Sequence, residues 1–213
     1  MLSGILSMPT VMLADVGLVW LALPVTVVLG VVIVLAGLYN GLVVVSVRMR
    51  NAFSQIDVQL RRRHDLVPNL VEAVRGYMTH ERSTLEAVTR ARAAAQMAAD
   101  AAGSRDAASM RTLAAASGVL DGALRGLMAR IEAYPELRAS GSVRSLQEEL
   151  VSTENRIAFA RQAFNDAVMR HNERVATFPS NLVAGVFGFR LADPWMTEAE
   201  TRAVPGVRLG STP

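Results

Sequence analysis

The sequence predicts an all-α protein in which an N-terminal transmembrane helix continues into an extended antiparallel bundle of three to four long helices. Three observations lead to this fold class. Residues 16–47 carry no charged side chain, the apolar residues that follow recur at helical spacing, and no ten-residue window alternates as a half-buried strand does. Aromatic residues make up only 5% of the chain, which also favours closely packed helices over sheets.

The apolar run from Val16 to Val47 is 32 residues long, and a helix needs about 20 such residues to span a bilayer. Trp20 and Tyr39 are roughly 30 Å apart along such a helix, close to the thickness of the hydrocarbon core, and aromatic side chains favour both interfaces. We therefore place the anchor region at 16–47, the span at about 16–39 and a short extracytoplasmic segment at 1–15. A span from Pro24 to Val47 is the alternative.

The arginines behind the run set the expected orientation. Arg48 and Arg50 lie at its end and three more follow at 61–63, whereas only Asp15 and the terminal amine precede it. The positive-inside bias predicts a single-pass protein with a cytoplasmic C-terminal domain; an exported domain is the alternative. The run is too long for the apolar region of a cleaved secretory peptide, and no arginine precedes it, so we expect an uncleaved anchor.

The rest of the chain is expected to form helices whose bounds follow from caps and prolines. They run from the anchor to about His64, from Leu70 to near Gly103, from Ser104 to Tyr134, and from Val143 to Phe178. Pro68 and Pro179 are expected to interrupt helices because proline lacks the backbone donor, and Ser104 is a candidate N-cap. Gly141 is expected to lie in a turn.

The fourth helix keeps a near-heptad apolar period from Leu146 to Ala167, as in a coiled coil. Alanines at 91–102 and 114–116 offer small faces where helices can approach closely. The predicted bundle occupies 48–189, and a partly disordered tail occupies 190–213. For residues 182–195 two alternatives stay open: the aromatic side chains fold back on the bundle or enter the bilayer interface, or the segment is disordered.

Composition and motifs argue against several classes of site. The chain has no cysteine, and all 22 basic residues are arginine, which we attribute to codon bias. The net charge of +3 is modest, and no nucleic-acid partner is expected. His80 and Glu81 lack the second histidine of a helical zinc motif, and neither a serine-hydrolase elbow nor a phosphate-binding loop occurs. We therefore expect no catalytic residue, cofactor or metal.

Several stretches resemble the LemA family, and they occur in order over residues 39–189. Residues 56–71 (IDVQLRRRHDLVPNLV) look like its hallmark segment; the others are 39–40, 132–137, 146–150, 153–158, 160–161, 165–168 and 178–179. Phe53 stands where the family usually has tryptophan, and Phe164 and His171 stand where it often has tyrosine. The resemblance implies a bacterial membrane protein with a helical bundle and without established catalysis, and one branch of the family belongs to magnetosome membranes.

Polar residues crowd two segments that would face each other if the first and fourth helices pack antiparallel. We predict a buried structural polar layer that fixes their register; its expected members are Asp57, Gln59, Arg63, His64, Asp65, Asn155, Arg156 and Asn165. Intra-bundle salt bridges are expected for the arginines at 61–63. Solvated helix faces and a ligand site are the alternatives. Trp20, Tyr39, Arg48 and Arg50 are expected at the membrane interface.

The function expected from these features is that of a non-enzymatic scaffold in the bacterial inner (cytoplasmic) membrane. It would self-associate or present its helices to protein partners of unknown identity, and Gly30 and Gly37 permit association within the bilayer. One alternative is an accessory to a membrane enzyme or transport process that uses a polar layer around Asp57 and Arg156. Another is a LemA protein of the magnetosome-membrane type.

Overall fold

The computed structural model describes the backbone of residues 9–102 and 107–196, and the side chains of 23–102 and 108–196. Its helices are α1 (Pro9–Arg75), α2 (Arg82–Ala101), α3 (Ala107–Ile131), α4 (Pro135–Ala139), α5 (Gly141–Ala176) and α6 (Ser180–Phe187). Within these ranges the chain forms no strand, and the predicted all-α fold is confirmed. The apolar N-terminal segment and the start of the bundle belong to one uninterrupted helix.

Two compact units can be distinguished by their internal contacts. The anchor unit consists of the described residues among 1–44 and of 174–190. The bundle unit consists of 45–173 together with the described residues after 190. The helices α1 and α5 contribute residues to both units.

The bundle unit is built around two apolar clusters that draw on α1, α2, α3 and α5. One cluster includes Leu70 of α1, Val88 of α2, Leu127 of α3 and Leu150 of α5. In the other cluster Phe53, Phe164 and Trp195 are among the buried side chains. On α2, the buried alanines 91, 95 and 98 form the small face that the composition indicated, and α2 packs closely on α3.

Pro68 does not end the first helix, contrary to the sequence prediction. The helix α1 continues for seven residues beyond it, to Arg75. Pro68 is exposed, and its missing N–H leaves the carbonyl of His64, four residues earlier, without its helical donor. The Nε of Arg92 on α2 donates a hydrogen bond of 2.7 Å to that carbonyl. Tertiary contact thus replaces the lost helical bond, and the helix is retained.

The predicted second helix is wrong in one respect, because residues 76–81 form turns between α1 and α2. Met78 of this connection is buried and donates its N–H to the carbonyl of Val74. The third helix, predicted to end at Tyr134, ends at Ile131, and Pro135 opens the short α4. Gly141 begins α5 two residues before the predicted start. Ser104, the predicted N-cap, lies outside the described residues.

In the anchor unit, the apolar segment of α1 is exposed rather than packed into a core. Leu29 and Ile33 expose 58% and 63% of their surface, whereas the core helix of a soluble protein would bury such residues. This helix is long and apolar enough to cross a membrane, the single one of that kind among the described residues. A lipid bilayer is therefore the environment that suits the exposed apolar side chains of this helix best.

The helix α6 packs against α1 within the same unit. Val183 and Ala184 of α6 are buried with Leu42 of α1 and Val175 of α5. Gly188 ends α6 in the left-handed conformation, with φ of 75°, which L side chains adopt only at a cost. The chain then returns so that the N–H of Phe189 bonds to the carbonyl of Ala184.

Candidate functional site

The densest group of charges in the described bundle surrounds Arg63 of α1. This side chain is 1% exposed. Its Nη1 donates to Oδ1 of Asp121 on α3 and, at 2.9 Å, to Oε2 of Glu154 on α5. Arg161 follows Glu154 by seven residues on α5. Its Nη2 lies 3.4 Å from Oε1 of Glu154 and 3.9 Å from Oδ2 of Asp121. These four residues form the charge cluster, which joins three helices.

The charge cluster contains two cations and two anions that face each other. Burial raises the pKa of the Asp121 carboxyl above its usual value, although the cation of Arg63 acts to lower it; Glu154 raises it further and Arg161 lowers it. Removing one partner of such a group leaves an uncompensated buried charge, which is strongly destabilising. The arrangement is therefore suited to fixing the register of α1, α3 and α5.

The charge cluster extends to the C-terminal segment through Arg161 and Trp195. The guanidinium carbon of Arg161 lies 5.3 Å from the centre of the Trp195 ring, within the range of a cation–π contact. The indole is buried and belongs to the second apolar cluster, together with Phe53 and Phe164. The segment 191–196 has no regular secondary structure, yet its tryptophan is part of the core.

Two asparagines of α5 hold this segment through its backbone. Oδ1 of Asn165 accepts the N–H of Trp195 at 2.8 Å, and Nδ2 donates to the carbonyl of the same residue at 3.0 Å. Asn172 makes the equivalent pair with Ala192, with both distances 2.8 Å. An asparagine amide is both donor and acceptor, and residues seven apart share a helix face. We call Asn165 and Asn172 the tail clamp.

His64 follows Arg63 in the chain but is not a member of the charge cluster. Its carbonyl accepts from Arg92, and its imidazole is buried with no partner for Nε2 in the described structure. Burial, together with the charges of Arg63 and Arg92, lowers the pKa of His64 to about 4, although Asp65 and Asp100 act in the opposite direction. The imidazole is therefore neutral at pH 7.

The residues predicted for a polar layer occupy different places. Arg63 and His64 are buried and Asn165 belongs to the tail clamp, whereas Asp65, Asn155 and Arg156 are exposed. Asp57 pairs with Arg61 on its own helix at 3.0 Å, and the buried Oε1 of Gln59 has no partner among the described atoms. Asp57 therefore pairs with Arg61 rather than with Arg156, whereas Arg63 forms ion pairs with Asp121 and Glu154 on other helices.

The arginines at 61–63 all form ion pairs, as the sequence predicts. Arg61 pairs within α1, Arg62 pairs with Glu149 of α5 at 3.3 Å, and Arg63 forms the charge cluster. Sequence reasoning did not single out Asp121, Glu154, Arg92 or Asn172. Acids and arginines interleaved along helices look like solvated faces, and only the seven-residue spacing of Asn165 and Asn172 could have pointed to the tail clamp.

The residues predicted for the membrane interface fall into three groups. Trp20 lies outside the residues whose side chains are described. Tyr39 stacks on two aromatic rings of the anchor unit, with centroids 4.8 Å from Phe187 and 5.9 Å from Phe189. Arg48 and Arg50 are exposed on α1, among the first residues of the bundle unit.

Ser46 and His171 form a further pair of buried polar side chains in the bundle unit. The Oγ of Ser46 and Nδ1 of His171 are hydrogen-bonded at 3.2 Å, and both side chains are buried, so this hydrogen bond is closed to a substrate. No group of three histidine, aspartate or glutamate side chains close enough to hold a metal occurs in the described ranges. A cleft of about 300 Å³ borders Arg63, Asp121 and Glu154, whose charges already face one another.

A family model and several magnetosome proteins are similar to this chain. The model of the LemA family matches residues 52–209. The magnetosome proteins MamQ 1 and MamQ 2 of Paramagnetospirillum magneticum are each 29% identical, over 81% of this chain and 71% of theirs. MamQ of Magnetospirillum gryphiswaldense is 31% identical over 38% of this chain and 29% of its own. The hallmark residues 56–71 lie within the matched range, and the chain belongs to the LemA family.

Proposed function

We propose that the protein is a non-enzymatic scaffold, anchored in a membrane by α1, that associates with itself and presents its helical bundle to partner proteins. One observation carries the proposal: the cations and anions of the charge cluster form ion pairs with one another. Arg63 and Arg161 neutralise Asp121 and Glu154, and Arg161 also supports Trp195. An active site instead keeps charged or nucleophilic groups open to a substrate.

The proposed location is the bacterial inner membrane with the bundle in the cytoplasm. The exposed arginines Arg48 and Arg50 directly behind the apolar segment support this orientation. A cysteine placed at the exposed Val119 tests it in a chain that has no other cysteine. In intact cells that cysteine should resist a membrane-impermeant maleimide and react only after lysis. Labelling in intact cells would place the bundle outside.

Self-association is proposed from the exposed face of α1. Gly30 and Gly37 are seven residues apart, and a Cβ added at either would meet no atom within 4 Å, so a second helix can approach there. Two differently tagged copies expressed together should be recovered together from solubilised membranes. Leucine at both glycines should reduce the co-recovery, whereas Val28→Leu, on the opposite face of the helix, should not. Recovery of single copies only would contradict the proposed self-association.

The names of the MamQ relatives support a second candidate location, a magnetosome membrane. Those relatives are magnetosome proteins by name, and the shared helical family makes the same type of membrane a reasonable candidate here. A fluorescent fusion expressed in a magnetosome-forming host tests it. Alignment of the signal with the magnetosome chain supports this location, and a uniform signal along the cell envelope contradicts it.

A further inference from the structure

The segment around α6 is apolar over a length that cannot cross a bilayer. Between Arg174 and Arg190 the chain has 15 residues and no charge. About 20 residues are needed for a spanning helix, and a shorter apolar stretch is typical of a buried core helix or of a segment in the membrane interface. Exposure distinguishes these two cases.

The outer face of α6 is not buried. Val186 exposes 81% of its surface, Leu182 62% and Phe187 61%, while Val183 and Ala184 on the other face are buried against α1. Three large exposed apolar residues on two turns of helix form a contiguous patch, and such patches mark interaction surfaces. This face of α6 is therefore not that of a buried core helix.

The exposed face of α6 is continuous with the apolar surface of α1. A cleft of about 430 Å³ lies between the two helices. Val32, Leu35 and Ala36 line it from α1, all within the charge-free segment, and Leu182, Val186 and Phe187 line it from α6. Tyr39 stacks on Phe187 at the same level, and tyrosine favours the membrane interface.

We propose that α6 is a second membrane contact, which lies in the interface beside α1 with Leu182, Val186 and Phe187 among lipid acyl chains. This inference rests on the membrane anchoring by α1 stated under the proposed function. The occupant is lipid because the cleft walls include residues of the very segment that is expected to be embedded. A chain entering along α1 at this depth meets apolar side chains on both sides of the cleft.

Arg174 supplies a basic group at the same level of α1. A Cβ added at Gly41 would lie 2.7 Å from Nη2 of Arg174. Because glycine has no side chain, the guanidinium can pass close to α1 at this position. The side chain is exposed, and none of the ion pairs among the described residues includes it. A basic side chain beside an apolar interfacial helix is positioned to meet an anionic lipid headgroup.

Depth-dependent quenching tests the proposal on the full chain. Single cysteines at Val186, Leu29 and Val58 are labelled with an environment-sensitive fluorophore, since the chain has no cysteine of its own. The labelled proteins are placed in nanodiscs of phosphatidylcholine and phosphatidylglycerol with spin-labelled acyl chains. Val58 is the matched control, because it is 56% exposed but stands beside Asp57 and near Arg61.

The expected result is quenching at Val186 similar to that at Leu29 and several-fold stronger than that at Val58. Quenching at Leu29 without quenching at Val186 overturns the inference and leaves the anchor intact. Absence of quenching at Leu29 overturns the proposed membrane anchoring itself. A Val186 label that is shielded from lipid, with disulfide-linked dimers of V186C, means that a second copy covers α6 and likewise overturns the inference.

Discussion

The Nε of Arg92 lies 2.7 Å from the backbone carbonyl of His64 and donates a hydrogen bond to it. This carbonyl is the one that Pro68 leaves without a helical donor. An unsatisfied buried carbonyl costs about 1–3 kcal/mol, so a side chain from another helix makes an interior proline compatible with α1. The contact links the family's hallmark segment to the packing of α2.

Substitution of Arg92 by alanine should destabilise the bundle by about 1–3 kcal/mol because the His64 carbonyl loses its donor. Urea unfolding in nanodiscs, followed by circular dichroism, measures this change. Arg90→Ala is the matched control, because Arg90 is exposed and its ion pair with Glu86 is long, at 3.9 Å. The effect of this substitution should stay within about 0.5 kcal/mol. In a Pro68→Ala background the cost of Arg92→Ala should shrink, and an unchanged cost would contradict this account.

Substitution of Arg63 by methionine should cost about 3–5 kcal/mol, because the carboxylate of Asp121, which is only 16% exposed, would lose its central cation. The same unfolding measurement applies. Arg62→Met is the control: its pair with Glu149 is about half exposed, and such pairs contribute about 0–1 kcal/mol. Equal effects at the two positions would mean that the charge cluster does not hold the helices together.

The buried His64 predicts a dependence of stability on pH. Its pKa is lowered from 6.5 to about 4, so between these values the unfolded chain binds a proton that the folded chain does not. This histidine does not reduce stability above pH 6.5, reduces it progressively as the pH is lowered through this window, and adds no further loss below about pH 4. The total change is on the order of 3 kcal/mol.

The contribution of His64 is the difference between the wild type and His64→Gln, in which the effects of other groups cancel. The urea midpoint of the variant should fall less steeply between pH 6.5 and 4 than that of the wild type. His80→Gln should follow the wild type, because His80 is exposed. Parallel curves for the wild type and His64→Gln would show that this histidine does not set the dependence.

Release of the C-terminal segment should follow loss of the tail clamp. In a Trp20→Phe background Trp195 is the sole tryptophan, and its buried indole should emit at short wavelength. Asn165→Ala combined with Asn172→Ala should shift the emission to longer wavelength and expose residues 191–196 to protease. Asn155→Ala changes an exposed asparagine of the same helix and should leave both signals unchanged. An unshifted emission in the double variant would show that side-chain packing alone holds Trp195.

The helices and the apolar segment could be predicted from the sequence, because both depend on a local pattern of residues. It could not place the partners of Pro68, Arg63 or Trp195, since each partner is supplied by a different helix far along the chain. The break expected at Pro68 shows this most clearly: a local rule favours a break, and a tertiary hydrogen bond offsets it. The turn at 76–81 was missed because apolar spacing continued through it to Leu85.

The candidate site was only partly visible for a related reason. Arg63 and His64 stand out in the sequence because they belong to a dense polar segment. Asp121 and Glu154 do not, because a single acid on a helix can be recognised as part of a site only when packing brings it beside a cation of another helix. Asn172 is similar, since its role depends on a chain segment that returns to α5 some twenty residues later.

Membrane anchoring is tested by extracting the native membranes with alkaline carbonate and measuring the intact mass of the recovered chain. We expect the protein to stay in the membrane pellet and to keep the apolar segment at 16–47. A soluble polypeptide that begins near residue 40 would contradict this expectation, because the bundle would then have no anchor.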